Sequence, residues 1–85
     1  MIPRSDVYAQ GVILYELVTG AVPFDGFSAS EVAQKHLTVS PTPPSRRRAG
    51  VPGSIDKVVH RALQKNPAER YRSVEEMRQA LAARL

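Results

Sequence analysis

Two histidines, His36 and His60, are the side chains in this sequence best suited to proton transfer near neutral pH. They lie far apart in the chain, and the absence of cysteine excludes a thiol nucleophile and a cysteine-ligated zinc site. In "HRALQKN", the residue that follows His-Arg is Ala62, which cannot accept a proton from a hydroxyl group. We therefore predict no catalytic residue, metal ligand or cofactor-binding residue in this chain, and we interpret both histidines as ordinary helix residues.

Charge and hydropathy place the chain among small globular domains. Its 85 residues include 12 Lys and Arg against 8 Asp and Glu, a net charge of +4. The basic run Arg46–Arg48 has no interleaved aromatic residue, so we interpret it as a solvated loop and expect no nucleic-acid partner. The longest apolar stretch, Val7–Val18, is too short and too interrupted for a membrane span, and Asp6 interrupts any signal-peptide core after Met1. The sequence thus predicts a soluble protein, and the lack of cysteine fits a reducing compartment.

Capping and breaking residues divide the chain into four predicted helices. The first begins at Ser5 or Asp6 and ends at about Thr19, where Gly20 provides the stop. The others are expected at 28–37, at 54–64 and from 73 onward, and Ser28–Glu31 and Ser73–Glu76 are capping boxes. We predict that "SPTPPSRRRAGVPG" lacks regular structure because it contains four Pro and two Gly. No segment alternates as a strand does, so the predicted fold class is all-α, built from four short helices.

The first predicted helix is apolar around nearly its whole circumference. Its apolar residues are Val7, Tyr8, Val12, Ile13, Leu14, Tyr15, Leu17 and Val18. A helix of this kind must be enclosed by neighbours on every side, and three short amphipathic helices offer little enclosure. The sequence therefore predicts a missing neighbour, which is either a partner chain or more of the same chain.

Two long segments resemble eukaryotic-like (Hanks-type) serine/threonine protein kinases. "RSDVYAQGVILYELVTGAVPFDG", residues 4–26, resembles the segment that follows the kinase activation segment, with matches from Ser5 to Phe24. There the family pattern runs S-D-V-W/Y-S/A-x-G-V/I-x-L-Y/W-E-L/M-x-T-G-x-x-P-F. "ALQKNPAERYRSVEEM", residues 62–77, is similar to a later element of the same family, and "VPGSIDKVVHRAL" is most similar to its bacterial branch. The resemblance spans the chain in order, as helices F, G, H and I of the C-terminal part of the large lobe.

The resemblance implies roles for individual residues. In the family, the residue at the position of Asp6 braces the catalytic loop, and the one at the position of Arg70 pairs with the Glu of the A-P-E motif. Both partners are expected upstream of this chain. The alternatives are a helix cap for Asp6 and a solvated guanidinium for Arg70. On the first helix we expect Tyr8 to be a core residue and Gly11 to allow close packing against a neighbour. The family's helix G contributes to substrate docking, which makes 28–37 the candidate docking segment, with Ser28, Glu31 and His36 as its representative residues.

The resemblance also implies a parent reaction, the transfer of the γ-phosphate of ATP to Ser or Thr of a protein. The chain contains neither G-x-G-x-x-G nor V-A-I-K, and its His-Arg and Asp-Gly segments depart from the kinase catalytic motifs. We expect residues 1–85 to be a partial kinase domain that lacks the N-lobe, catalytic loop and activation segment. ATP and Mg²⁺ are expected only for the full-length parent, so the chain alone is predicted to be inactive.

We expect the partner of this chain to be the upstream kinase segment or the parent's protein substrate, and self-association through the first helix is a further expectation. The expected location is the cytoplasm, with a membrane anchor elsewhere in the parent left open. The alternative is a self-standing helical interaction module derived from a kinase lobe.

Overall fold

The computed structural model describes residues 4–84. Met1–Pro3 and Leu85 lie outside the described residues, and so does the start of the chain at which the sequence argues against a signal peptide. The described part contains helices and no strand. The α-helices are α1 (Arg4–Thr19), α2 (Ala29–Thr38), α3 (Pro44–Arg47), α4 (Gly53–Ala62) and α5 (Val74–Arg84), and a short 3₁₀ turn covers Pro67–Glu69. The all-α fold class is confirmed, with one more α-helix than the four predicted. Within residues 4–84, every helix falls short of the length and apolar character that a membrane crossing needs.

The predicted capping residues begin α2 and α5. The Ser28 hydroxyl accepts the backbone N–H of Glu31 at 3.1 Å, and the Ser73 hydroxyl accepts that of Glu76 at 3.1 Å. In α1 the predicted cap is wrong, because the helix already includes Ser5 and Asp6 in its first turn. An acidic side chain in a first turn is still favourable, since the helix dipole is positive there.

The proline-rich connection is the main departure from the prediction, because it contains α3. Pro44 is the first residue of this helix, where its missing N–H costs nothing and its fixed φ angle suits the helix. Asp56 of α4 then accepts the backbone N–H of Ser45 at 2.9 Å and its hydroxyl at 2.5 Å. A proline-rich segment therefore forms a helical turn here, because a carboxylate distant in sequence satisfies its first donors.

The core lies where α1, α4 and α5 pack together. Val7 of α1 is fully buried against Val58 and Ala62 of α4 and against Met77 of α5. A second cluster surrounds Tyr15, and its buried members on and after α4 are Ile55, Val59 and Leu63. The Tyr15 hydroxyl donates to the carbonyl of Thr42 at 2.6 Å, which ties the proline-rich connection to α1.

One side of α1 is left uncovered. Leu17 is 73% exposed and Ile13 is 48% exposed, although Val7 and Tyr15 on the same helix are fully buried. This agrees with the incomplete enclosure inferred from the sequence. That a partner chain or more of the same chain covers this side of α1 stays a prediction.

Candidate functional site

A cleft of about 290 Å³ lies where α1, α2 and the chain after α4 meet. We call it the Arg70 pocket, and its lining residues are Ser5, Tyr8, His36, Leu37, Lys65 and Arg70. The turn after α4 places two of these residues. Asn66 caps the 3₁₀ turn by accepting the N–H of Ala68 at 3.0 Å, with Lys65 before the cap and Arg70 at the end of the turn.

Arg70 is half-buried and held in a defined orientation. Its Nε donates to the carbonyl of Gln64 at 2.7 Å, and one terminal nitrogen donates to the carbonyl of Lys65 at 3.4 Å. The guanidinium carbon lies 4.7 Å from the centre of the Tyr8 ring, within the range of a cation–π contact. The contacts do not resemble those of a solvated surface guanidinium, the alternative that the sequence left open.

Tyr8 and His36 join α1 to α2 inside this pocket. The Tyr8 hydroxyl is 2.6 Å from Nδ1 of His36, and the two rings meet edge-on with centroids 5.5 Å apart. Burial raises the pKa of the Tyr8 hydroxyl, and the neighbouring Arg70 guanidinium opposes that rise. Tyr8 is half-buried, and its hydroxyl end lies in the cleft.

Lys65 completes the pocket, and the sequence analysis did not single it out. Its ammonium group donates to the carbonyl of Lys35 on α2 at 3.3 Å and lies 4.5 Å from the centre of the Phe24 ring. Burial lowers the pKa of Lys65, and the Arg70 guanidinium lowers it further. In sequence Lys65 lies between the end of α4 and the Asn66 cap, and its role depends on contacts that only the packed helices set.

The pocket suits an anion. Its lining residues include two cations, a tyrosine hydroxyl, a serine and a histidine, and none of them is acidic. An arginine held by carbonyl groups is a suitable partner for a carboxylate. Among residues 4–84 there is also no cluster of three potential metal ligands. The arrangement can therefore bind a carboxylate or similar group.

The other residues singled out from the sequence lie apart from this pocket. Asp6 is exposed in the first turn of α1 and is not among the lining residues. Ser28 and Glu31 serve the start of α2, where Glu31 also accepts the N–H of Phe27 at 2.6 Å. In the candidate docking segment, His36 faces α1, whereas Ser28 and Glu31 are exposed.

Gly11 lies where α1 packs closely against the end of α4. A Cβ atom added at this position would be 2.8 Å from Cβ of Ala62 and 2.9 Å from Cδ2 of Leu63. A side chain there would therefore separate the two helices, since Cβ of Ala62 is fixed to its own backbone. The absence of a side chain at position 11 thus sets the distance between the two helices that form the core.

A second cleft, of about 230 Å³, runs between α1 and α5. We call it the α1–α5 groove, and its lining residues are Gln10, Ile13, Leu14, Leu17, Val74, Met77, Arg78 and Leu81. Its walls are mostly aliphatic, and it contains the exposed side of α1. Leu17 and Tyr8 are about half a turn apart around the axis of α1, so the groove and the Arg70 pocket occupy opposite sides of one helix.

Comparison with known proteins identifies the family. Residues 1–81 match the family described as protein tyrosine and serine/threonine kinase. The serine/threonine-protein kinase PknB of Mycolicibacterium smegmatis is 52% identical over 75 residues, which are 88% of this chain and 12% of that kinase. The serine/threonine-protein kinase pkn3 of Myxococcus xanthus is 50% identical over 82 residues, which are 94% of this chain and 15% of that kinase.

The matched part of each relative is short. PksC of Streptomyces coelicolor, also a serine/threonine-protein kinase, is 45% identical over 75 residues, 14% of its length. The chain therefore spans about one-seventh to one-eighth of the bacterial relatives that it matches. Because the family match covers nearly all of its 85 residues, this chain belongs to the protein tyrosine and serine/threonine kinase family.

Proposed function

We propose that this chain is the helical C-terminal end of the large lobe of a serine/threonine protein kinase, and that it is the platform on which the upstream kinase segment docks. The observation that carries the proposal is the exposed apolar side of α1, where Leu17 is 73% and Ile13 is 48% exposed. Large aliphatic side chains that line a cleft favour a binding surface over scattered surface residues. The relatives are several times longer than this chain, so each contains further chain outside the matched segment.

The Arg70 pocket supports the same proposal from the opposite side of α1. It presents Lys65 and Arg70, and no acidic residue lines it. A carboxylate of the upstream segment would fit these groups, because an oriented guanidinium binds carboxylates with charge-assisted hydrogen bonds. The groove would then supply most of the buried apolar area, and the pocket would fix the position of the upstream segment.

The parent reaction in this proposal is transfer of the ATP γ-phosphate to Ser or Thr of a protein substrate, in the cytoplasm. Phosphoryl transfer depends on residues that position the phosphates and Mg²⁺ and on a base near the nucleophile. The 85 residues contain none of the corresponding motifs. The chain alone is therefore expected to transfer no phosphate, and ATP and Mg²⁺ are expected to bind to the full-length parent.

The test is a chimera in which this chain replaces the matching segment of PknB of Mycolicibacterium smegmatis. We expect the chimera to phosphorylate itself when supplied with ATP and Mg²⁺, and the isolated chain not to do so. In the chimera, Ile13→Asp should reduce activity at least about tenfold, because it introduces a charge into an apolar contact. Ala83→Asp places the same charge on an exposed part of α5 and should leave the activity close to that of the parent chimera. A folded chimera without activity, or an Ile13→Asp chimera as active as the Ala83→Asp chimera, would contradict the proposal.

The α1–α5 groove also favours a second candidate, an interaction module that binds a partner helix or a second copy of itself. An apolar groove between helices is a common docking site for an amphipathic helix. Thermal unfolding of the isolated chain, followed by circular dichroism at several concentrations, separates the candidates. A cooperative transition independent of concentration favours a self-standing module, and one that rises with concentration favours self-association. A cooperative transition that moves to higher temperature when the upstream segment of PknB is added favours the lobe segment.

A further inference from the structure

Helix α2 is attached to the rest of the described structure in an unusual way. None of its ten residues is buried, so it has no apolar anchor in the core. It is joined to the other elements by a hydrogen bond between the Tyr8 hydroxyl on α1 and Nδ1 of His36, and by one that Lys65 donates to the carbonyl of Lys35. An element held by few polar contacts is expected to open at a lower free energy than the core.

The side chain of His36 is the centre of this attachment. Its ring meets the Phe24 ring edge-on with centroids 4.8 Å apart, and it meets the Tyr8 ring with centroids 5.5 Å apart. Nδ1 lies 2.6 Å from the Tyr8 hydroxyl, close enough for a strong hydrogen bond. The imidazole is thus enclosed by two aromatic rings and joined to one of them through a polar contact.

The charged groups around His36 are cations. From the chain after α4, Lys65 lies 4.5 Å from the centre of the same Phe24 ring, and Arg70 stacks on the Tyr8 ring at 4.7 Å. From α1, the group that faces His36 is the Tyr8 hydroxyl, and on α2 itself Lys35 is the neighbouring residue. No acidic residue lines the pocket, so a charged imidazole would gain no carboxylate partner there.

We propose that His36 is a pH-sensitive latch, which holds α2 against α1 while the imidazole is neutral and releases α2 when the imidazole is protonated. In the neutral state Nδ1 can accept the Tyr8 hydroxyl proton. In the protonated state both ring nitrogens are donors, so the Tyr8 hydroxyl can only accept from Nδ1 and must turn its own proton to a different acceptor. Protonation also adds a charge beside Lys65 and Arg70 in a partly desolvated site.

The direction of the pH dependence follows from this environment. Burial lowers the pKa of His36, and the Lys65 ammonium lowers it further. Release of α2 into water removes both effects, so the released form binds the proton more readily than the docked form. Docking is therefore at full strength above the ordinary histidine pKa of about 6.5 and weakens as the pH falls through the lowered pKa. Each unit of pKa lowering corresponds to about a tenfold fall in the ratio of docked to released α2.

The test is a titration of the 85-residue chain from about pH 8 to about pH 5, followed by proton–nitrogen correlation NMR. We expect the amide signals of α2 to move toward random-coil positions while those of α4 and α5 keep their dispersion. In His36→Gln the amide can still accept the Tyr8 hydroxyl but cannot be protonated in this range. The α2 signals of that variant should no longer respond to pH.

His60→Gln is the matched control, because His60 is the exposed histidine of α4 and its ring contacts Gln64 of its own segment. Its α2 signals should shift as in the parent chain. The proposal is wrong if the α2 shifts persist in His36→Gln or if α2 stays docked while the His36 ring titrates. It is also wrong if α2 is already at random-coil positions at neutral pH, or if all helices unfold together.

Discussion

Gly11→Ala tests the close packing of α1 against the end of α4. The added Cβ would lie 2.8 Å from Cβ of Ala62 and 2.9 Å from Cδ2 of Leu63. The end of the Leu63 side chain can rotate away, whereas Cβ of Ala62 moves only with its backbone. Overpacking of a core costs about 1–3 kcal/mol, and the replacement of a helical Gly by Ala returns about 1 kcal/mol. Because one of the two close contacts is rigid, we expect a net loss of about 1–2 kcal/mol in the free energy of unfolding.

The assay is urea denaturation of the chain followed by far-ultraviolet circular dichroism. Gly53→Ala is the matched control, because a Cβ at that position in α4 meets no atom within 4 Å. We expect that control to be neutral or to raise the free energy of unfolding by up to about 1 kcal/mol, because Ala is the better helix former and meets no clash there.

A double variant tests whether the loss of stability comes from the contact between position 11 and Ala62. Ala62→Gly removes the rigid atom, so Gly11→Ala should cost less in that background than in the parent chain. If Gly11→Ala is as stable as the parent chain, or if its cost is unchanged by Ala62→Gly, then the helices do not meet as described and the reasoning is refuted.

Two further predictions concern a helix cap and a tyrosine. Ser73→Ala should destabilise the chain by about 1 kcal/mol, because the Glu76 N–H loses its hydroxyl acceptor, and thermal or urea unfolding measures that loss. The free energy of unfolding should also fall in alkaline solution, in part because Tyr8 ionises. Urea unfolding at several pH values measures the fall, and tyrosinate absorbance follows the ionisation. Burial raises the pKa of Tyr8, so its contribution is present below about pH 10 and is lost as the pH rises through the raised value. Tyr8→Phe should lose less stability over that alkaline range, and an equal loss would contradict the assignment.

Much of the local structure was predictable from the sequence, because the signals are local. The serine caps of α2 and α5 depend on residues three positions apart, and the structure contains both hydrogen bonds. Gly20 ends α1 with a φ angle of 77°, the left-handed conformation that favours glycine. The apolar circumference of α1 predicted incomplete enclosure, and Leu17 is exposed. The fold class and the family followed from such patterns.

The contacts between segments could not be predicted, because they depend on distances that only the packed helices set. Nothing in "SPTPPSRRR" indicates that Asp56 caps α3, since the carboxylate comes from eleven residues further along the chain. In the same way, His36 lies 28 residues from Tyr8 in sequence. The hydrogen bond between the Tyr8 hydroxyl and Nδ1 of His36 exists because α2 packs back against α1. The sequence alone thus determined which segments are helical and which helix needs a neighbour. The tertiary structure decided which charges and rings share a pocket, because that depends on how the helices are arranged in space.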